Sequence, residues 1–214
     1  DDDVRTLLHE SGHAFHAYLC ADDPLDHYRH APMEFCEFAS MSMELMASDG
    51  MGKFYDREGV RRSNTEHLEG VISTLAWVAT VDAFQHWIYE NPGHAAAERR
   101  DAWVRVNDEF GGGVTDWSGL DEERAYGWHR QLHIFEVPFY YIEYGIAQLG
   151  ALQLWQKFRR DPARAIAAYK SGLSLGGSKP LPELFRAAGV RFDFSKEIIG
   201  PLMDDVYREW EKNA

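Results

Sequence analysis

Five residues near the start of the chain, His9-Glu10-Ser11-Gly12-His13, form an H-E-x-x-H motif. Residues four apart in a helix lie on one face, so the two imidazoles can reach the same ion. The Glu10 carboxylate lies beside them and could take a proton from a water molecule. Imidazole nitrogens are common zinc ligands, and catalytic zinc sites use three protein ligands. The motif therefore predicts a zinc site whose third ligand comes from another part of the chain.

The spacing after the motif excludes a site built from three histidines. Such a site needs a glycine and a histidine at the third and sixth positions after His13. This chain has His16 and Leu19 there. The third ligand must therefore lie elsewhere.

The motif also contains an E-x-x-H sequence, Glu10 to His13, which is found in di-iron carboxylate bundles. Those bundles require a second E-x-x-H and two further glutamates on separate helices. Glu90 and His94 are one residue too far apart, and Pro92-Gly93 stands between them. The sequence therefore disfavours a di-iron site.

A second helix, predicted over residues 33–47, is apolar almost all round, which is typical of a buried helix. Its apolar residues are Phe35, Cys36, Phe38, Ala39, Met41, Met43, Leu45 and Met46. Glu37 and Glu44 interrupt it seven residues apart and share a face. A buried carboxylate is costly unless it meets a cation or hydrogen-bond donors. Either glutamate could therefore supply the third ligand.

These two segments together resemble the thimet oligopeptidase and oligoendopeptidase F family of zinc metallopeptidases. The resemblance rests on the run from His9 to His16, on Glu37-Phe38-Ala39-Ser40 and on Glu44. It implies that His9, His13 and Glu37 bind zinc, with Glu10 as the general base. It also implies that Glu44 accepts a hydrogen bond from a ligand. His16 is expected to pack in the core or to contact a zinc ligand.

A third informative stretch runs from His133 to Gly145 and is rich in aromatic residues. Pro138 is predicted to open a helix on which Tyr141 and Tyr144 share a face. An aromatic stripe alone is more typical of a core. The resemblance implies instead that His133, Tyr141 and Tyr144 bind substrate carbonyls and the oxyanion, with Tyr140 as an alternative to Tyr141.

The function implied is that of a zinc endopeptidase or oligopeptidase with one Zn²⁺ per chain, acting on short peptides. A carboxypeptidase of the same family is the nearest alternative. A non-catalytic, metal-stabilised lobe that needs a partner region is another, although Glu10 argues against it because a structural zinc needs no base.

Composition limits the partners and the setting. The formal net charge of −13 argues against nucleic acid as a partner. No run approaches the roughly 18 apolar residues of a membrane helix. Cys20 and Cys36 are expected to be free thiols in a reducing, cytoplasmic setting.

The sequence predicts an all-α fold, a multi-helix zincin-like catalytic lobe, because no strand pattern is sustained. Further helices are expected over residues 65–89, 95–110, 138–160, 162–171, 181–188 and 196–212. Residues 1–214 are predicted to be a single catalytic lobe, the C-terminal part of a longer metallopeptidase. Its expected partner is an upstream region of the same parent protein, which the resemblance places on the opposite side of the substrate channel.

Overall fold

The computed structural model describes residues 2–213, and every regular element in that range is helical. The long helices are α1 (Asp2–Leu19), α2 (Met33–Met46), α3 (Arg57–Glu90), α4 (Ala96–Phe110), α7 (Ile142–Arg160), α8 (Pro162–Leu173) and α10 (Lys196–Asn213). The short ones are α5 (Asp121–Ala125), α6 (His133–Glu136) and α9 (Leu181–Ala187), with 3-10 turns at Asp26–Arg29, Ser48–Lys53 and Gly127–Arg130. The predicted all-α class is confirmed. None of the described helices is both long enough and apolar enough to cross a membrane.

The chain divides into two compact units. The first contains the residues up to Gly70 and those from Ile146 onward, and the second contains Val71–Gly145. Both boundaries fall inside helices, since α3 and α7 each contribute to both units.

The core of the first unit forms around α2, which packs along α1 and against α9. Phe35, Phe38 and Ala39 of α2 have no solvent exposure. The ring of Phe38 lies 5.2 Å from that of Phe185 on α9, and the hydroxyl of Tyr169 on α8 donates a hydrogen bond of 2.7 Å to the Ala39 carbonyl. This dense packing fixes the position of α2 in the core of the first unit.

The second unit has its own aromatic core. Its buried residues are Val81, Phe84, Ala102, Trp103, Val106, Trp128 and Ile134. The Trp103 ring meets Phe84 edge-on at 5.1 Å, and its indole N–H donates to the Arg124 carbonyl at 2.9 Å. The burial of this indole is therefore accompanied by a hydrogen bond, as its polar atom requires.

The long middle helix begins earlier than the sequence pattern predicts. The polar, glycine-containing sequence of residues 49–65 predicts a connection, but α3 starts at Arg57. The Asp56 carboxylate accepts a hydrogen bond of 2.8 Å from the Gly59 backbone N–H, which is the geometry of a helix N-cap. The first turns of α3 are mostly polar, so their helical period is invisible in the pattern of apolar residues.

Candidate metal centre

The close approach of α1 to α2 depends on Gly12, inside the H-E-x-x-H motif. A Cβ atom at position 12 would come within 2.4 Å of the Ser40 Cα and 2.8 Å of the Ala39 carbonyl oxygen. The two backbones therefore touch where glycine stands. Because Glu37 lies one turn before Ser40, this contact brings its carboxylate to the face of α1 that carries His9 and His13.

The side chains of His9, His13 and Glu37 converge in the structure. The His9 Nε2 atom lies 3.5 Å from Glu37 Oε2, and the His13 Nε2 atom lies 4.0 Å from Glu37 Oε1. One ligand atom from each residue lies within 4.8 Å of the others. The Glu37 side chain is only 9% exposed, so its charge lacks full hydration.

The donor set fits a tetrahedral zinc ion. Zinc bonds to imidazole nitrogen and carboxylate oxygen are about 2.0–2.2 Å long, so neighbouring ligand atoms lie roughly 3.4 Å apart. The separations of Glu37 from the two histidines are close to that value and too long for strong hydrogen bonds. Imidazole nitrogen and carboxylate oxygen are also ligand types that zinc prefers.

Glu44 lies on the far side of His9 from the cluster. Its Oε1 atom accepts a hydrogen bond of 2.7 Å from His9 Nδ1, and its Oε2 atom lies 3.3 Å from His67 Nε2. Burial raises the pKa of Glu44, but the hydrogen bonds from His67 and His9 outweigh it and lower that pKa to about 2. The carboxylate is therefore ionised and acts as an acceptor for both imidazoles.

Two further residues, His67 and Arg5, continue this network, although no sequence motif marks them. His67 Nδ1 lies 2.7 Å from a terminal guanidinium nitrogen of Arg5. The Arg5 guanidinium also donates to the Ser63 carbonyl at 2.7 Å. Arg5 precedes His9 by four residues and Ser63 precedes His67 by four, so each pair shares a helical face. This spacing was the only signal in the sequence for these residues. It does not predict the contact between Arg5 and His67, which are 62 residues apart.

The remaining predicted residues of this segment have different environments. Glu10 is exposed, so its carboxylate is accessible to a substrate or water. His16 is only 4% exposed and lies edge-on against Phe35, with ring centroids 5.6 Å apart. Burial, with a smaller contribution from the nearby His13, lowers the pKa of His16 to about 4. His16 is thus a neutral histidine packed in the core of the first unit.

The second unit brings together His133, Tyr140, Tyr141 and Tyr144. The His133 ring centroid lies 4.9 Å from Tyr141, 5.9 Å from Tyr140 and 6.0 Å from Tyr144. Burial is the main cause that raises the pKa of Tyr141, so its hydroxyl stays protonated and can donate. The alternative between Tyr140 and Tyr141 stays open, because both rings contact His133.

Two hydrogen bonds, through Trp77 and Gln131, orient the His133 ring. The Trp77 indole N–H donates to Gln131 Oε1 at 2.8 Å, and Gln131 Nε2 lies 2.6 Å from His133 Nδ1. Because an indole can only donate, the amide oxygen must face Trp77 and the amide nitrogen must face His133. His133 Nδ1 is then an acceptor, which leaves a neutral His133 with its proton on Nε2, ready to donate.

The helix predicted to open at Pro138 begins instead at Ile142. Phe139 has a backbone φ of 64°, which a right-handed helix does not allow. Its backbone N–H donates to the buried Gln85 side chain at 2.9 Å instead of to a helical carbonyl. Tyr141 therefore lies in the turn that precedes α7, and Tyr144 lies in the first turn of α7.

The glycine-rich loop after α4 lines a pocket within the second unit. Its sequence, Gly111-Gly112-Gly113, predicts a flexible wall of a substrate cleft. Gly111 and Gly113 border a polar pocket of about 670 Å³, together with Trp77, Asn107, Asp108, Thr115, Asp116, Trp117, Ser118, Asp121, Arg124 and Arg130. Its walls carry charges of both signs, so they do not single out one class of ligand.

Known sequences include relatives of most of the chain. A sequence profile of peptidase family M3 matches residues 1–202. The oligoendopeptidase F homolog of Borreliella burgdorferi is 25% identical over 190 residues, which are 85% of this chain and 31% of that protein.

Solved structures give the same result. PZ peptidase A, in a structure with an inhibitor, is 34% identical with a TM-score of 0.86, over 97% of this chain and 38% of that one. A protein assigned as oligoendopeptidase F is 33% identical with a TM-score of 0.86, over 98% of this chain and 37% of that one. The chain thus covers 31–38% of the length of these relatives. The matches confirm the family resemblance predicted from the sequence.

Proposed function

Since the chain belongs to peptidase family M3, we propose that it carries the zinc-dependent catalytic centre of an oligoendopeptidase that hydrolyses short peptides. The observation that carries this proposal is the convergence of His9, His13 and Glu37 beside the exposed Glu10. The names of the relatives support the reaction class.

His9, His13 and Glu37 would hold the ion, one per chain. A zinc ion bound there would supply Lewis acidity, to lower the pKa of a water molecule and to polarise a peptide carbonyl. Glu44 holds the His9 imidazole by its Nδ1–H and so leaves Nε2 free as a ligand atom. Gly12 keeps α1 and α2 close enough for the three ligands to meet.

Glu10 carries the proton in this mechanism. Its carboxylate accepts a proton as water attacks the peptide carbonyl carbon, so that a C–O bond forms. The same proton then passes to the nitrogen of the leaving amine as the C–N bond breaks. The exposure of Glu10 suits a group that must meet both water and substrate.

His133, Tyr141 and Tyr144 are proposed to donate hydrogen bonds to the substrate carbonyl and to the developing oxyanion. Trp77 and Gln131 support this role, because they leave the Nε2–H of His133 as a donor. A well-aimed donor of this kind contributes about 3 kcal/mol to the transition state. The role of these residues as donors is taken from the family resemblance. Their mutual contacts support it, because both tyrosine rings lie against His133.

Metal analysis combined with peptide cleavage tests the proposal. The protein should contain about one zinc per chain and cleave a quenched fluorescent peptide, and a chelator should abolish cleavage. His9→Ala should lose both the metal and the activity. Cys36→Ser offers a matched control, because this free thiol lies beside Glu37 in sequence but outside the ligand set. Full activity after complete metal removal would contradict the proposal.

A further inference from the structure

Four side chains form a continuous chain of polar contacts that ends at the candidate metal centre. Arg5 contacts His67, His67 contacts Glu44, and Glu44 contacts His9 at 2.7, 3.3 and 2.7 Å respectively. The side chains of His67 and Glu44 are 13% and 16% exposed, so water competes little for these groups. The chain joins α1, α2 and the first turns of α3 within the first unit.

The donor and the acceptor of each hydrogen bond in this chain follow from Arg5 at one end and from the Glu44 carboxylate in the middle. A guanidinium can only donate, so the Nδ1 atom of His67 must accept. A neutral imidazole then carries its proton on Nε2 and donates it to Glu44 Oε2. An ionised carboxylate can only accept, so the proton of His9 must lie on Nδ1, where it points to Glu44 Oε1. The Nε2 lone pair of His9 is then directed toward Glu37, whose Oε2 atom is 3.5 Å away.

The guanidinium is itself fixed in place. Another of its nitrogens donates to the Ser63 carbonyl at 2.7 Å and to the Ser63 hydroxyl at 3.0 Å. Ser63 is fully buried. If His67 carried its proton on Nδ1, that N–H would face an N–H of Arg5, and the bare Nε2 would face the Glu44 carboxylate. Both contacts would then be repulsive. His67 therefore has one favourable neutral tautomer, with its proton on Nε2.

We propose that Arg5 and His67 are positioning residues that act through Glu44 to hold the proton of His9 on Nδ1 and so keep its Nε2 lone pair available to the metal. The inference rests on the proposed function only in taking His9 as a ligand. The tautomers of His9 and His67 do not depend on a bound metal.

The first test measures where the protons lie. Two-bond ¹H–¹⁵N NMR correlation of histidine-labelled, metal-free protein distinguishes the two neutral tautomers, at a pH of about 9 where imidazoles are neutral. His9 should carry its proton on Nδ1 and His67 on Nε2. In Arg5→Leu, the fraction of His67 with its proton on Nδ1 should rise, because only Glu44 then favours a proton on Nε2. A wild-type His9 with its proton on Nε2, or a His67 with its proton on Nδ1, overturns the proposal.

The second test measures zinc affinity by competition with a chelator. His67→Leu removes the donor to Glu44 and should weaken zinc binding about tenfold, at the lower end of the range for outer hydrogen-bond partners of ligands. His67→Gln should restore most of the affinity, because its amide nitrogen can donate to Glu44 while its oxygen accepts from Arg5. Leucine and glutamine variants that bind zinc equally well would contradict the proposed role.

Leu68→Ala is the matched control for a loss of packing. Leu68 is the next residue on α3 and is 4% exposed, but it is not part of the polar chain. This variant should lower thermal stability without changing the His9 tautomer or the zinc affinity. If Leu68→Ala and His67→Leu lost the same zinc affinity, His67 would act only through packing, which would contradict the proposal. If His67→Leu does not fold, the wild-type tautomers and His67→Gln still decide the question.

These readouts separate this inference from the proposed function. A protein that binds zinc with the predicted tautomers but cleaves no peptide would contradict the peptidase proposal alone. A protein that cleaves peptides with the opposite tautomers would contradict the positioning role alone.

Discussion

The backbone of Gly12 lies so close to that of Ser40 that a Cβ atom at position 12 would come within 2.4 Å of the Ser40 Cα. This contact ties the helix of the two histidines to the helix of Glu37. A glycine inside the motif is therefore a packing requirement of the site, although it supplies no ligand.

Gly12→Ala should consequently damage both stability and metal binding. Overpacking of this kind costs about 1–3 kcal/mol, and separation of α1 from α2 moves both histidines away from Glu37. Urea unfolding and a zinc titration would measure the two effects. Gly70→Ala is the control, because a Cβ atom there meets nothing within 4 Å. In an exposed helical position that change should be neutral or stabilising by up to about 1 kcal/mol. Equal behaviour of the two variants would rule out the packing argument.

Substitutions of Glu10 and Glu37 should have different effects. Glu10→Gln should keep the metal yet lose nearly all turnover, because an amide cannot accept the proton. Glu37→Gln should weaken zinc binding as well, since it removes a charged ligand. Elemental analysis of the purified variants would give their zinc content, and peptide cleavage would give kcat for each. Loss of zinc from Glu10→Gln together with retention in Glu37→Gln would reverse the two assignments.

The tyrosines near His133 can be tested one hydroxyl at a time. Tyr144→Phe should lower kcat by roughly tenfold with little change in KM, if the hydroxyl acts mainly on the oxyanion. The same comparison at Tyr140 and Tyr141 would identify which neighbour takes part. Tyr169→Phe is the control, because its hydroxyl donates to the Ala39 carbonyl in the core. That change should cost about 1 kcal/mol of stability while kcat stays the same. An unchanged kcat in all three cluster variants would make these tyrosines packing residues.

His16 should make the folded protein sensitive to acid. Burial lowers its folded pKa from 6.5 to about 4, so between these values the unfolded state binds the proton first. Stability is therefore lost as the pH falls through this window. The loss from this residue levels off near about 3 kcal/mol once the folded state also binds the proton.

The variant His16→Leu isolates this effect. Its stability should fall less than that of the wild type between about pH 6.5 and pH 4, since leucine binds no proton. Urea unfolding at several pH values, with a chelator present throughout, would give the difference between the two proteins. Parallel stability curves would show that His16 is protonated in the folded state as readily as in the unfolded state.

Helical periodicity was enough to predict the all-α class, the shared face of His9 and His13, and the buried face of Glu37 and Glu44. These are local properties, because residue spacing within one helix decides which side chains lie together. The starts of α3 and α7 were less predictable. The first depends on a polar cap at Asp56, and the second on the backbone of Phe139. Neither changes the pattern of apolar residues.

Only the tertiary structure decided which glutamate faces which imidazole nitrogen. Glu37 lies beside the Nε2 atoms of both histidines, whereas Glu44 meets the Nδ1 atom of His9. The two carboxylates share a helix face, so the distinction depends on where α1 crosses α2, which Gly12 sets. The contact of Arg5 with His67 likewise joins residues 62 positions apart. Such a pair forms when separate helices pack together, and spacing within either helix does not encode it.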